Sequence, residues 1–385
     1  MENKEATMNT KHIQPAHDLP DAQELTPVLP SKIDGRRRDM LKAAAASLAL
    51  GPSMIRQVRA STRQIVVGIW GGAQGDFIRK VVIPRFERDY NCSVLAEEGF
   101  TLVNVAKMRA TLKNPKYTVM FIDDVAVSTC ITEKLIAPLP VDRIPNMANL
   151  MPRFNYGGYA TGVGISIGAM YRNTSTPAPK SFADLWSDTY RDSIKLNSWE
   201  NTSGIYFLIA AAAVVTSKPL SAAQYEVDKI WAKLRDFKPN VQNIYVSGVE
   251  AANEVAQGQA MLGGIDYSKF IYPYAVKGAP IDMVFMKEGS FAGVNCQVLV
   301  ANGPNQDLGV AFINRMLSAD VQKALAEFSL VAPPVRGVTL TPQTLRYVAY
   351  PEQRMDQLGL FIPDWKFVNQ NRAKWTEKTN EIFTA

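Results

Sequence analysis

From residue 63 onward, short apolar runs alternate with stretches whose apolar side chains recur at helical spacing, and that alternation predicts an α/β fold. Residues 65–70 read as the first strand. A GGAQG loop follows, and then Phe77, Val81, Pro84 and Phe86 mark one face of a helix over 76–90. Strands are expected at 93–96 and 118–122, with a helix at 103–112 between them and another over 123–136, ended by Pro138 and Pro140. The segment NYGGYATGVGISIGAM, residues 155–170, mixes glycines with β-branched residues. Such a stretch suits a path that bends or is closely approached, so it reads as a crossover between domains. A second series follows: a helical turn at 182–185, a strand at 193–197, a strongly apolar helix at 203–216, helices at 222–237 and 249–257, and a strand at 260–265. Residues 294–300 read as a strand returning to the first domain, ahead of a helix at 307–317 and a mainly helical tail. The expected layout is two α/β lobes: 61–158, then 159–292, with 293–385 returning to the first lobe and ending in a helical segment packed across both. A length of 385 residues suits two domains.

The segment before residue 61 has a different character. RRRDMLKAAAASLALGPSMIRQVRA, residues 36–60, places Arg37 and Arg38 ahead of a short apolar stretch and a Val-Arg-Ala end. This is the three-part layout of an export signal and resembles the twin-arginine type, with removal expected near Ala60. Its apolar stretch, like the longer one at 205–215, is too short to cross a bilayer. No cysteine stands near the cleavage point to carry a lipid anchor, so the expected location is the periplasm. His12 and His17 are the only histidines and lie upstream of the signal, so the exported chain has none. Imidazole acid–base catalysis, Ser-His-Asp triads and His-bound zinc are then ruled out. The formal net charge is +6, with nothing resembling a nucleic-acid footprint. Cys92, Cys130 and Cys296 allow at most one disulfide, whose pairing the sequence leaves open, and they read best as small buried hydrophobes.

Two motifs fall away on inspection. GISIG, residues 164–168, matches the nucleophile-elbow pattern, but no histidine is available to activate Ser166 and no helix follows. The glycines at 68, 71, 72 and 75 lack dinucleotide-binding order, and no Gly-Lys-Ser/Thr sequence exists, so no cofactor and no metal are expected. The residues that follow each expected strand say more, because open α/β sheets bind ligands beyond the carboxyl ends of their strands. Those residues are Trp70, Asp123 and Asp124, Trp199 and Glu200, and Asp266 and Tyr267. Carboxylates with aromatic faces suit an amine, each face attracting a desolvated ammonium by roughly 0.5–2 kcal/mol. An aspartate at a strand-to-helix junction also serves simply as an N-cap. The NTSG sequence at 201–204 is a good cap whose free N–H groups could hold an anion, and Tyr267, Tyr272 and Tyr274 could offer phenolate ligands to ferric iron or pack at a surface.

Several blocks, in order, resemble one family: the periplasmic solute-binding proteins of ABC importers, in the spermidine/putrescine and ferric-ion branch. They are RFERDYNCSV, KSFADLWSDTYRDSIKL, PIDMVFMKEG, DLGVAFINRMLSADVQKALAE and the closing DWKFVNQNRAKWTEKTNEI, spread over most of residues 64–385. The resemblance implies a type II two-lobed binding-protein fold with hinge crossover strands, no catalysis, capture of a small cationic, polyamine-like solute by lobe closure, and delivery to an inner-membrane permease. It also implies a monomer, and the leader adds the twin-arginine translocase as an export partner. By position, Trp70 matches an aromatic after the first strand, and Asp123 or Asp124 a polar ligand loop. The chain departs from the polyamine pattern at Asn295, where those proteins carry Asp, and at Gly263-Gly264, where they carry Trp. A ferric-ion or anionic solute is the alternative within the fold, and an exported enzyme the alternative outside it.

Overall fold

Two long strands organise the chain, and every other strand is placed by its distance from them. The computed structural model describes residues 63–384; the export signal and both histidines lie outside the described residues. In chain order the strands are β1 (Arg63–Ile69), β2 (Cys92–Glu98), β3 (Val119–Asp123), β4 (Ile136–Ala137), β5 (Asn155–Tyr156), β6 (Ala160–Asn173), β7 (Ile194–Asn197), β8 (Val241–Tyr245), β9 (Leu262–Tyr267), β10 (Ile281–Val284), β11 (Ser290–Val300) and β12 (Leu360–Phe361). The main sheet runs β2-β1-β3-β11-β6-β9-β7-β8. Its two ends are parallel: β1 pairs β2 and β3, and β7 pairs β8 and β9. The centre is antiparallel, with β11 lying between β3 and β6, and β6 pairing β9 on its other edge.

The parallel ends are covered by helices, as parallel sheets require, and their strands are correspondingly buried. One apolar cluster gathers around β1 and β3 and takes Ile165 and Ile167 of β6 and Val298 of β11. The other gathers around β7 and the helix Thr202–Thr216 and takes Met170 of β6 and Phe291 of β11. The two central strands thus contribute to both clusters. In β6 the glycines do what their pattern suggests. Gly157 and Gly158 take φ of +62° and +77° in the turn ahead of it, and a Cβ at Gly164 would stand 2.8 Å from Val331. Ser166 is buried in mid-strand, and β6 runs on to Asn173 without a helix, so the elbow geometry is absent.

The helix Thr202–Thr216 is apolar on all sides because it is buried on all sides. Its expected cap is not made: the Asn201 amide donates instead to Asn197 Oδ1 at 2.7 Å. The helix after β1 passes from Gly72–Phe77 through a π turn, Ile78–Val82, into Ile83–Tyr90. Pro84 explains the turn, since it has no N–H for the regular ladder and its ring crowds the carbonyl four residues back. The helix expected over 123–136 is shorter, Val127–Thr132, and gives way to β4, which pairs β11. That expected over 222–237 is interrupted at Glu226, whose φ of −122° is not helical. Strands β8 and β10 and the helix Ser268–Val276 lack the clear alternation that marks the others and were not anticipated. All three cysteines are buried and unbridged.

The closing helix, Trp365–Thr384, packs into the second cluster and is tied to the segment that follows β3. Its Asn369 amide donates to the Val125 carbonyl at 2.8 Å, while Trp375 is buried in the second cluster. Phe291 of β11 stacks on Tyr206 of the helix Thr202–Thr216 at a centroid distance of 4.4 Å. Phe291→Ala should therefore cost about 3–5 kcal/mol in urea unfolding. Phe100→Ala, at a side chain 79% exposed, should stay within about 0.5 kcal/mol.

Candidate functional site

Beyond the carboxyl ends of β1, β3 and β9 lies a cavity of about 540 Å³. Each strand delivers its wall residue by simply ending: Trp70 follows β1, Asp123 closes β3 with Asp124 next, and Tyr267 closes β9. The central strand β11 supplies the floor with Gly293, Val294 and Asn295. A bulge between Asn295 and Cys296 shifts the pairing with β6 at this point, a device that re-aims side chains. Gly293 is required: a Cβ there would lie 2.2 Å from the Tyr267 ring, which occupies that space. Phe100 and Phe270, both largely exposed, stand at the cavity as well.

Of the seven residues singled out by sequence, four line this cavity: Trp70, Asp123, Asp124 and Tyr267. Asp266 is buried just behind it, and its Oδ1 accepts the Tyr267 N–H at 2.7 Å. Trp199 and Glu200 lie elsewhere. Trp199 is a core residue packed against Phe207 and Phe383, and Glu200 is exposed, its carbonyl accepting from Arg372 at 2.6 Å. The three tyrosines do not converge either. Tyr267 faces the cavity, Tyr272 packs on Tyr347 at 5.0 Å, and the Tyr274 hydroxyl donates to the Val249 carbonyl at 3.3 Å. Among the described residues, no group of three or more His, Cys, Asp or Glu could hold a metal ion.

The two acids differ in their partners. Asp123 Oδ2 accepts from the Thr101 hydroxyl at 2.6 Å, and Oδ1 accepts from the Asn295 amide at 2.6 Å. Asp124 is buried, and its Oδ2 accepts from the Trp365 indole at 2.7 Å and from the Tyr156 hydroxyl at 3.3 Å. Burial, reinforced by the neighbouring Asp123 charge, pushes the Asp124 carboxyl up to about 8 against these donors. Burial likewise raises Asp266 to about 6, while Lys269 nearby pulls it back.

The sequence reading missed Lys269, Gln74 and Asn295 as a unit. The Lys269 ammonium donates to Gln74 Oε1 at 3.1 Å and to Asn295 Oδ1 at 3.0 Å, and the Gln74 amide donates to that same Asn295 oxygen at 3.0 Å. Lys269 follows the Asp266-Tyr267 pair by two residues, so reading one helical turn past each strand end would have found it. Trp365, 241 residues from Asp124, leaves no comparable local signal.

This architecture, two parallel half-sheets joined by a central antiparallel pair with a cavity at the strand ends, is the two-lobed fold of the solved structures on which the chain superposes. Residues 82–352 match the family of bacterial extracellular solute-binding proteins, and the chain belongs to that family. It is 26% identical over 236 residues to the spermidine/putrescine-binding periplasmic protein of Escherichia coli, covering 58% of this chain and 64% of that one. The matched segment thus spans less than two thirds of the length of the curated relatives. Among solved structures, an ABC transporter protein from Clostridium perfringens superposes with a TM-score of 0.72 at 19% identity, covering 83% of this chain and 99% of that one. A spermidine/putrescine ABC transporter substrate-binding protein from Streptococcus pneumoniae gives 0.69 at 19% identity, covering 84% and 100%. No single described helix is long and apolar enough to cross a membrane.

The state of Asp124 has a measurable consequence. Between about pH 4 and pH 8 the folded chain holds a proton on Asp124 that the unfolded chain has released. Stability from this group therefore falls as pH rises through that window, by up to about 1.4 kcal/mol per pH unit. Asp124→Asn should flatten the fall. Urea unfolding of both chains at pH 5 and pH 8 checks this, and parallel pH profiles would refute it.

Proposed function

We propose that this chain is the periplasmic capture component of an ABC importer, binding a small amine-bearing solute by lobe closure and presenting it to an inner-membrane permease. The observation that carries the reading is the meeting of Asp123 and Asp124 with the rings of Trp70 and Tyr267 in one cavity at the strand ends. Carboxylates supply counter-charge and aromatic faces attract a desolvated ammonium. The relatives named for spermidine and putrescine support the amine, in a polyamine-like solute. The ferric-ion alternative draws no support from tyrosines that face three different ways.

In this reading residues 61–158 form one lobe and 159–292 the other, while 293–385 return to the first and end in a helical segment packed across both, with β6 and β11 as the hinge. The chain works as a monomer without catalysis and reaches the periplasm through the twin-arginine translocase. Trp70, Asp123, Asp124 and Tyr267 bind the solute, with Asp266 acting from behind Tyr267.

A thermal-shift screen with polyamines, other small amines, ferric citrate and phosphonates tests the reading. An amine at 100 times its dissociation constant should add about 2.7 kcal/mol of stability. Asp123→Ala should weaken that amine at least tenfold in calorimetry, because the ammonium loses its partner. An ammonium arriving beside the protonated Asp124 should also expel a proton, so the observed heat near pH 7 should change with buffer ionisation enthalpy. Shifts with iron or phosphonate and none with any amine would refute the amine site.

A further inference from the structure

Resting on that amine-site reading, we infer that the solute carries an anionic group as well as its amine: an aminocarboxylate, whose carboxylate is held by Lys269, in place of a diamine or longer polyamine. The ammonium of Lys269 lines the cavity. It donates to two neutral amide oxygens, Gln74 Oε1 at 3.1 Å and Asn295 Oδ1 at 3.0 Å. Gln74 and Asn295 are themselves buried and hydrogen-bonded to each other, so they fix the position of the ammonium without neutralising it. Among the described residues, no carboxylate lies within ion-pair distance of it, and its nearest aromatic faces are Phe270 at 5.2 Å and Tyr267 at 5.9 Å to the ring centroids. An ammonium has three N–H donors, and only two are used.

A cavity wall that holds a positioned ammonium outside ion-pair distance of any described carboxylate, with Asp123 and Asp266 acting on it only from farther off, selects for the opposite charge. A fully protonated polyamine has no acceptor to offer Lys269 and would bring like charge beside it. The Asp123 carboxylate accepts one donor on each oxygen, from Thr101 and Asn295, which leaves acceptor capacity for the solute's own amine. Asn295 is the join between the two charges: its oxygen accepts from Lys269 and its nitrogen donates to Asp123. The wall therefore presents plus and minus a single amide apart, which matches a solute of the same dipolar kind. The helix Thr202–Thr216 begins at the cavity with Thr202 and no side-chain cap on its first turn, adding a second element that favours negative charge.

The test compares straight-chain ω-aminocarboxylates of three to six carbons with diamines and plain carboxylates of equal length, by calorimetry on the purified chain. The best aminocarboxylate should bind at least tenfold tighter than its matched diamine. Lys269→Gln should abolish that preference while leaving the unliganded melting temperature within a few degrees. Asn295→Asp, which places a carboxylate against Lys269, should lower aminocarboxylate affinity at least tenfold and narrow the gap to the diamine. A matched diamine that binds as well as or better than the aminocarboxylate would overturn this inference and leave the amine site standing, as would a preference unchanged in both variants. Plain carboxylates binding as tightly as aminocarboxylates would instead overturn the amine-site reading, with Lys269 still the anchor.

Discussion

The antiparallel pairing of β6 with β11 is the constraint on which the rest of this structure depends. Each strand runs through both apolar clusters, so each half of the molecule is built against the same pair of backbones. The parallel half-sheets then grow outward, β3, β1 and β2 on one side and β9, β7 and β8 on the other, and their carboxyl ends open onto a shared cavity. The ladder also sets the chemistry. Register places Asn295 opposite Asp123, and the bulge that follows lets Asn295 reach Lys269 as well. Around this pair the packing is tight enough that one hydrogen in place of a methyl, at Gly293, decides whether Tyr267 can sit over β11.

Much of this fold is legible in the sequence because its strands are buried on both faces and its helices have one apolar side. The runs at 65–70, 118–122, 193–197 and 294–300 each fall on a strand, and the glycines of β6 mark a path with no room for side chains. Legibility fails where local pattern and tertiary demand differ. Glu226 breaks a helix that spacing alone would continue, and β8 is half exposed, so its residues carry little periodic signal. In the cavity, the rule of reading beyond strand ends finds Trp70, Asp123, Asp124 and Tyr267 but also selects Trp199, which the second cluster absorbs as core. What the rule cannot see is an interaction assembled from three distant segments. Gln74 and Lys269 are unremarkable in sequence, Asn295 stands out only as a departure from the polyamine pattern, and the three act together only when the fold brings their polar ends within about 3 Å of one another.

That assembly changes the character of the site. Acids and rings alone describe a trap for positive charge, whereas an ammonium held between two amides makes the same cavity dipolar. Asp124 is kept neutral by burial, and Asp123 shares Asn295 with the Lys269 ammonium.

The hydrogen bond from the Trp365 indole to Asp124 also orders events in the life of the molecule. One partner sits in the first third of the chain, the other at the start of its closing helix, and Asn369 of that helix holds the neighbouring Val125 carbonyl. A growing polypeptide thus cannot hold Asp124 in its final setting until the helix Trp365–Thr384 has been made. The acid is in place 241 residues before the indole that fixes it.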